Sequence, residues 1–139
     1  MSLYRIILAD DEEEVRKGII RKIDWSGLGF EVVGDAENGA EALEKIQQLE
    51  PEVVMTDIRM PFMDGLTLTE KIRQKYPSMK VLIFSGFDDF EYAQQAIKLN
   101  VTEYILKPVN VEELSEILTR VKKNLDEEIE QKRNVNLLR

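Results

Sequence analysis

Apolar residues along this chain follow two alternating rhythms. Five short runs are apolar almost without interruption: 3–9 (LYRIILA), 30–36 (FEVVGDA), 53–56 (VVMT), 80–84 (KVLIF) and 103–106 (EYIL). Runs of this length, rich in Val and Ile and bounded by turn residues, predict strands. Between them apolar residues recur every three or four positions, the period of a helix with one buried face. Residues 12–23 carry Val15, Ile19 and Ile23, 40–49 carry Leu43, Ile46 and Leu49, and 66–76 carry Leu68 and Ile72. A fourth predicted helix, capped by Asp88 or Asp89 and running to about Leu99, has Phe90, Ala93 and Ile97 on its inner face. A fifth starts near Asn110 or Val111 and carries Leu114, Leu118, Val121 and Leu125 in a heptad-like seam.

Local signals set the boundaries. Asp11 reads as the N-cap of the first helix, with acids in the first turn where the helix dipole favours them. Residues 24–29 (DWSGLG) predict a turn-rich connection in which Trp25 packs against the end of that helix. Glu50-Pro51 and Pro77 stop helices, and Asn100 ends the fourth. Five strands alternating with five helices predict an α/β fold: a parallel sheet with right-handed crossovers and helices on both faces. The strands lack an exposed polar stripe, as expected where both sheet faces are covered.

At 139 residues the chain is long enough for one domain with a real core. It has neither cysteine nor histidine. That excludes disulfides, thiolate or His-ligated metal sites, Ser-His and Cys-His catalysis, and a phosphohistidine carrier role. The net charge of −8 argues against direct nucleic-acid contact by this domain. No apolar run approaches the roughly 18 residues that span a membrane. With no secretory signal pattern either, the expected compartment is the cytoplasm.

The candidate chemistry lies at the C-terminal ends of the predicted strands, where open α/β sheets bind ligands. Asp10 and Asp11 end the first, Asp57 the third, Ser85 the fourth and Lys107 the fifth. Taken singly, these acids read as ordinary caps or loop residues. Together, clustered carboxylates repel one another and call for a hard divalent cation, Mg²⁺ or Mn²⁺. A carboxylate nucleophile accepts a phosphoryl group as an aspartyl phosphate. Lys107 and a cation would neutralise the equatorial oxygens, Ser85 would hydrogen-bond a further one, and Gly86 leaves room beside it.

Asp10-Asp11, then Asp57-x-x-Met60-Pro61-x-x-Asp64-Gly65, Ser85-Gly86 and Lys107-Pro108 resemble the receiver domain of two-component response regulators. The likeness runs from about Leu3 to Asn124. It implies a flavodoxin-like (βα)5 doubly wound, five-stranded parallel sheet of order 2-1-3-4-5. Asp57 would be the phosphoacceptor, supplied by a partner histidine kinase. Asp10, Asp11, Asp57 and the backbone carbonyl of Arg59 would hold the metal. Ser85 and Lys107 would bind the phosphoryl group, with Tyr104 as the aromatic switch and a cis bond at Pro108. Arg59 and Phe87 are bulky beside the site and would slow hydrolysis of the phosphoryl group.

The 24–30 loop and 86–93 (GFDDFEYA) resemble receivers that precede an AraC-type helix-turn-helix domain. The expected layout is a receiver at 1–124 and a helical extension at 125–139 toward a C-terminal DNA-binding output domain. Residues 126–133 (DEEIEQKR) suit either a surface helix fraying into a linker or a signalling helix that pairs with another chain. A homodimer through the fourth helix, fifth strand and fifth helix is permitted. Two other functions compete with the phosphoacceptor. A Mg²⁺-dependent aspartyl-phosphate phosphatase or phosphotransferase would need a substrate-covering cap, and the chain has no insertion of that size. A phosphorylation-independent interaction module would not need the full set of acid, hydroxyl and lysine.

Overall fold

The computed structural model describes residues 2–86 and 90–137. In order the elements are β1 (Tyr4–Ala9), α1 (Glu13–Lys22), α2 (Trp25–Leu28), β2 (Phe30–Ala36), α3 (Gly39–Leu49), β3 (Val53–Asp57), α4 (Gly65–Lys75), β4 (Lys80–Ser85), α5 (Phe90–Lys98), β5 (Glu103–Leu106) and α6 (Val111–Leu137). The strands form one parallel sheet of order β2-β1-β3-β4-β5, as the alternating pattern and the resemblance implied.

Side chains alternate across the strands and build a core on each face. Ile6, Leu8, Val53, Met55, Leu82 and Phe84 meet Ile19, Trp25, Leu114, Leu118, Val121 and Leu125 on one side. Ile7, Ala9, Val54, Val81 and Ile83 meet Ala42, Ile46, Leu68, Ile72 and Ala96 on the other. Both faces of the central strands are therefore dry, which is why their sequences lack a polar stripe. The edge strand β2 carries an extra residue, Val33, where its register against β1 shifts between Ile6 and Ile7.

Several local predictions are corrected. The α1 cap is Glu12, whose side chain makes no cap hydrogen bond. Asp10 Oδ1 accepts the Glu12 N–H at 2.9 Å instead, and Asp11 turns toward the acid cluster. Residues 25–28 are not a mere turn but a short helix, capped by Asp24 and closed by Gly29 in the left-handed region at φ 94°. This helix buries Trp25, whose Nε1–H donates to the Ile20 carbonyl at 2.9 Å. On α5 the inner face lies one position from the predicted one. Ile97 is 70% exposed, whereas Ala96 is fully buried and Tyr92 and Leu99 pack beside it. The stripe built on Ala96 lets the helix lie close to the sheet. The proposed caps Asp88 and Asp89, and Phe87, fall outside the described residues, as does the side chain of Phe90.

The α6 seam of Leu114, Leu118, Val121 and Leu125 is spent inside the domain's own core rather than left open for a partner. Past Leu125 the helix continues to Leu137 and is tied back by polar contacts. Tyr4 donates to Asp126 at 2.5 Å, and Lys80 pairs with Glu128. No helix among the described residues is long and apolar enough to cross a membrane.

Candidate functional site

Parallel register brings the strand ends level. Ala9 pairs with Thr56, Asp57 with Phe84 and Ser85 with Leu106. Asp10, Asp57, Ser85 and Lys107 therefore emerge side by side, with Asp57 on the central strand. Asp10, Asp57 and Ser85 are buried, while Asp11 is exposed. One carboxylate oxygen from each of Asp10, Asp11 and Asp57 lies within 4.8 Å of the others. An all-oxygen donor set of three acids fits a hard divalent cation such as Mg²⁺ or Mn²⁺.

Lys107 reaches into this cluster. Its Nζ is 3.1 Å from Asp57 Oδ2, 3.4 Å from Asp10 Oδ2 and 3.9 Å from Glu12 Oε1. The other Asp57 oxygen accepts the Ile58 N–H at 2.8 Å. These contacts do not neutralise the cluster. Burial, with a contribution from Asp57, pushes Asp10 up to about 6 against the opposing pull of the Glu12 N–H and Lys107. Burial also raises Asp57, against Lys107 and with help from Asp11. Lys107 is itself held above its usual range: burial lowers it, but Asp57 and Asp10 outweigh burial. The bond between Lys107 and Pro108 is cis.

On the far side of Asp57, the Ser85 hydroxyl meets the Tyr104 hydroxyl. The half-buried Tyr104 ring is thus already turned inward onto Ser85. Among the described residues, a Cβ at Gly86 would meet nothing within 4 Å. Arg59 is exposed, and its guanidinium carbon stands 5.4 Å from the centroid of the Tyr92 ring.

The loop after Asp57 is shaped by Asp64 and Gly65, a pair whose residue types by themselves signal a turn. Asp64 caps α4 by accepting the Thr67 N–H at 2.8 Å. Gly65 is required by clearance, since a Cβ there would stand 2.0 Å from the Asp57 carbonyl oxygen. Phe62, 93% exposed, adopts φ 67°, an uncommon left-handed conformation for a bulky residue. Met55 lies in one core and Met60 in the other, with Met63 packed beside Met60's cluster, so these methionines serve packing.

Sequence reasoning missed Arg16 and Asp35. Arg16 is 5% exposed, and its guanidinium touches both Asp35 and the Asp10 carbonyl. The only available signal was a basic residue between Val15 and Ile19, close to the buried face of α1.

A sheet of this order, with acids, a hydroxyl and a lysine at its C-terminal end, defines a receiver-type signalling domain. Residues 6–119 match the family described as "Response regulator receiver domain", and the chain belongs to that family. It is 43% identical over 125 residues to the Bacillus subtilis protein named "Uncharacterized transcriptional regulatory protein YesN", covering 87% of this chain and 34% of that protein. Among solved structures it resembles the REC domain of AraT, a response regulator from Geobacillus stearothermophilus, at 42% identity and TM-score 0.87, covering 91% of this chain and 98% of that one. A two component transcriptional regulator AraC from Clostridium phytofermentans superposes with TM-score 0.80 at 37% identity, covering 88% of this chain and 94% of that one. The chain spans between about a third and about a half of the length of curated relatives it matches.

Proposed function

We propose that this chain is a phosphorylation-controlled receiver in which Asp57 takes a phosphoryl group from a phosphohistidine of a partner histidine kinase. One observation carries the reading. Three carboxylates, a lysine 3.1 Å from Asp57 and a buried serine converge at one end of the sheet. Asp10, Asp11, Asp57 and the Arg59 carbonyl would hold Mg²⁺ or Mn²⁺. When bound, the cation supplies positive charge to the carboxylates and to the phosphoryl oxygens.

The chain's own residues do the rest. An Asp57 oxygen forms the new bond to phosphorus in line with the breaking bond to the donor's imidazole nitrogen. That nitrogen leaves with the electron pair and is protonated from solvent. Lys107, already against Asp57, pairs with the phosphoryl oxygens, and its raised pKa keeps it charged. Ser85 swings its hydroxyl from Tyr104 to a phosphoryl oxygen, and the open side at Gly86 accommodates the group. Loss of the Ser85–Tyr104 contact then biases the surface of α5, β5 and α6. Exposed Ile97, Leu106 and Val111 on that surface suit a homodimer contact.

The chain is not a stand-alone enzyme in this reading. Its chemistry is self-phosphorylation and autodephosphorylation, the latter slowed by Arg59 and Phe87. Residues 1–124 form the receiver, and 125–139 lead toward a DNA-binding output domain outside this chain, acting in the cytoplasm. Relatives named as transcriptional regulators support that output.

The test is incubation with Mg²⁺ and acetyl phosphate, followed by intact-mass analysis. Wild type gains one phosphoryl adduct, and Asp57→Asn gains none. Absence of an adduct on wild type, or turnover of other phosphoesters, overturns the reading.

A further inference from the structure

We infer that Arg16 is a positioning residue of the cation site, acting through the main chain of Asp10 and held in place by Asp35. This rests on the reading that Asp10 helps hold a divalent cation.

The geometry is that of a clamp. Arg16 Nη1–H donates to the Asp10 carbonyl at 2.6 Å, and Nε–H donates to Asp35 Oδ2 at 2.6 Å. The Asp10 N–H donates to the Ala36 carbonyl at 3.0 Å. Its carboxylate accepts the Glu12 N–H at 2.9 Å. The residue is thus gripped at its N–H, its carbonyl and its side chain, and Arg16 supplies the grip on the carbonyl. Asp35 is itself fixed from the other side, because Lys45 donates to its backbone carbonyl.

A buried guanidinium this close to a cation site is electrostatically the wrong sign. Two features make it tolerable. Asp35 compensates its charge, and the forked guanidinium serves two acceptors at once, which a lysine ammonium on a flexible stem does less well. The clamp also joins α1 and the β2 edge to the metal-binding end of β1. Groups that orient metal ligands from behind typically govern affinity by about 10–100-fold.

The test is isothermal titration of Mg²⁺ into wild type, Arg16→Lys, Arg16→Met and Asp35→Asn, at a temperature where circular dichroism shows each variant folded. Arg73→Met serves as the control. It removes a guanidinium that also binds backbone carbonyls, but at the opposite end of the sheet. Arg16→Lys is expected to weaken Mg²⁺ binding about tenfold, Arg16→Met at least as much, and Asp35→Asn several-fold, with Arg73→Met unchanged. Arg16→Lys and Asp35→Asn keep the test decisive if Arg16→Met fails to fold. Folded Arg16 variants with wild-type Mg²⁺ affinity overturn the inference alone. So does an equal loss in Arg73→Met, which would mark the effect as general destabilisation. A wild type that binds no Mg²⁺ overturns the cation-site reading together with the inference.

Discussion

Arg73 and Lys107 sit at opposite ends of the same parallel sheet, in opposite surroundings. Arg73, on α4, donates to the carbonyls of Met79 at 2.6 Å, Asn100 at 3.0 Å and Leu99 at 3.1 Å. These are the neutral backbone acceptors of the loops that lead into β4 and β5. Arg5 does the same for the Leu49 carbonyl at the end of α3, and Lys80 and Tyr4, at the starts of β4 and β1, bind α6. At this end polar groups find partners within the chain. Lys107 instead faces Asp10 and Asp57, with Asp11 beside them, and one ammonium does not balance three carboxylates. Asp10 and Asp57 are raised chiefly by their burial, which Lys107 does not offset. One end is complete as folded. In the proposed function the other is completed by a cation and a phosphoryl group, and its crowded acids cost stability that the rest of the molecule offsets.

This contrast can be broken or sharpened experimentally. The largest effect is expected from Asp57→Asn. It removes the proposed nucleophile, so the phosphoryl adduct is expected to be lost entirely by intact-mass analysis. It also removes one of the crowded charges, so Tm in Mg²⁺-free buffer rises, and a fall in Tm would show that Lys107 already balances the cluster. Arg73→Met strips several carbonyls of a charged donor and is expected to cost about 2–3 kcal/mol in urea denaturation, with phosphorylation from acetyl phosphate intact.

A smaller effect comes from pH. Folding raises Asp10 from 3.8 to about 6. Between those values the folded chain holds a proton that the unfolded chain has released. In metal-free buffer this group therefore makes stability rise as pH falls from 7 to 4. Mg²⁺ must displace the same proton, so its affinity should drop roughly tenfold per pH unit below about 6; titrations at pH 5, 6 and 7 read this. The smallest effect is at Phe62. A left-handed conformation costs a residue with a side chain roughly 1–2 kcal/mol, while glycine loses more chain entropy on folding. Phe62→Gly is expected to leave a net gain of about 0.5 kcal/mol in urea denaturation, with an unchanged Mg²⁺ affinity.

Much of the fold was legible because its signals are local. An unbroken apolar run marks a strand covered on both faces, and a recurrence every three or four residues marks a helix, whatever lies far away. Asn110, which accepts the Glu113 N–H at 3.1 Å, and Asn100 at φ 57° sit at helix ends where short polar side chains compete for backbone groups. The identities of the strand-end residues could likewise be read in order along the chain.

What lay hidden depends on distances between residues remote in sequence. Ile97 and Ala96 lie on stripes of equal apolar periodicity, and only packing against the sheet chose the alanine. Gly65 looked like turn chemistry until β3 brought the Asp57 carbonyl within 2.0 Å of its missing Cβ. Arg16 stands out only once β2 carries Asp35 to it. The sequence alone determined which groups stand at the strand ends and in what order. The parallel register decided that three acids and a lysine share one small volume, because proximity and burial, not residue type, set how strongly charges act on one another.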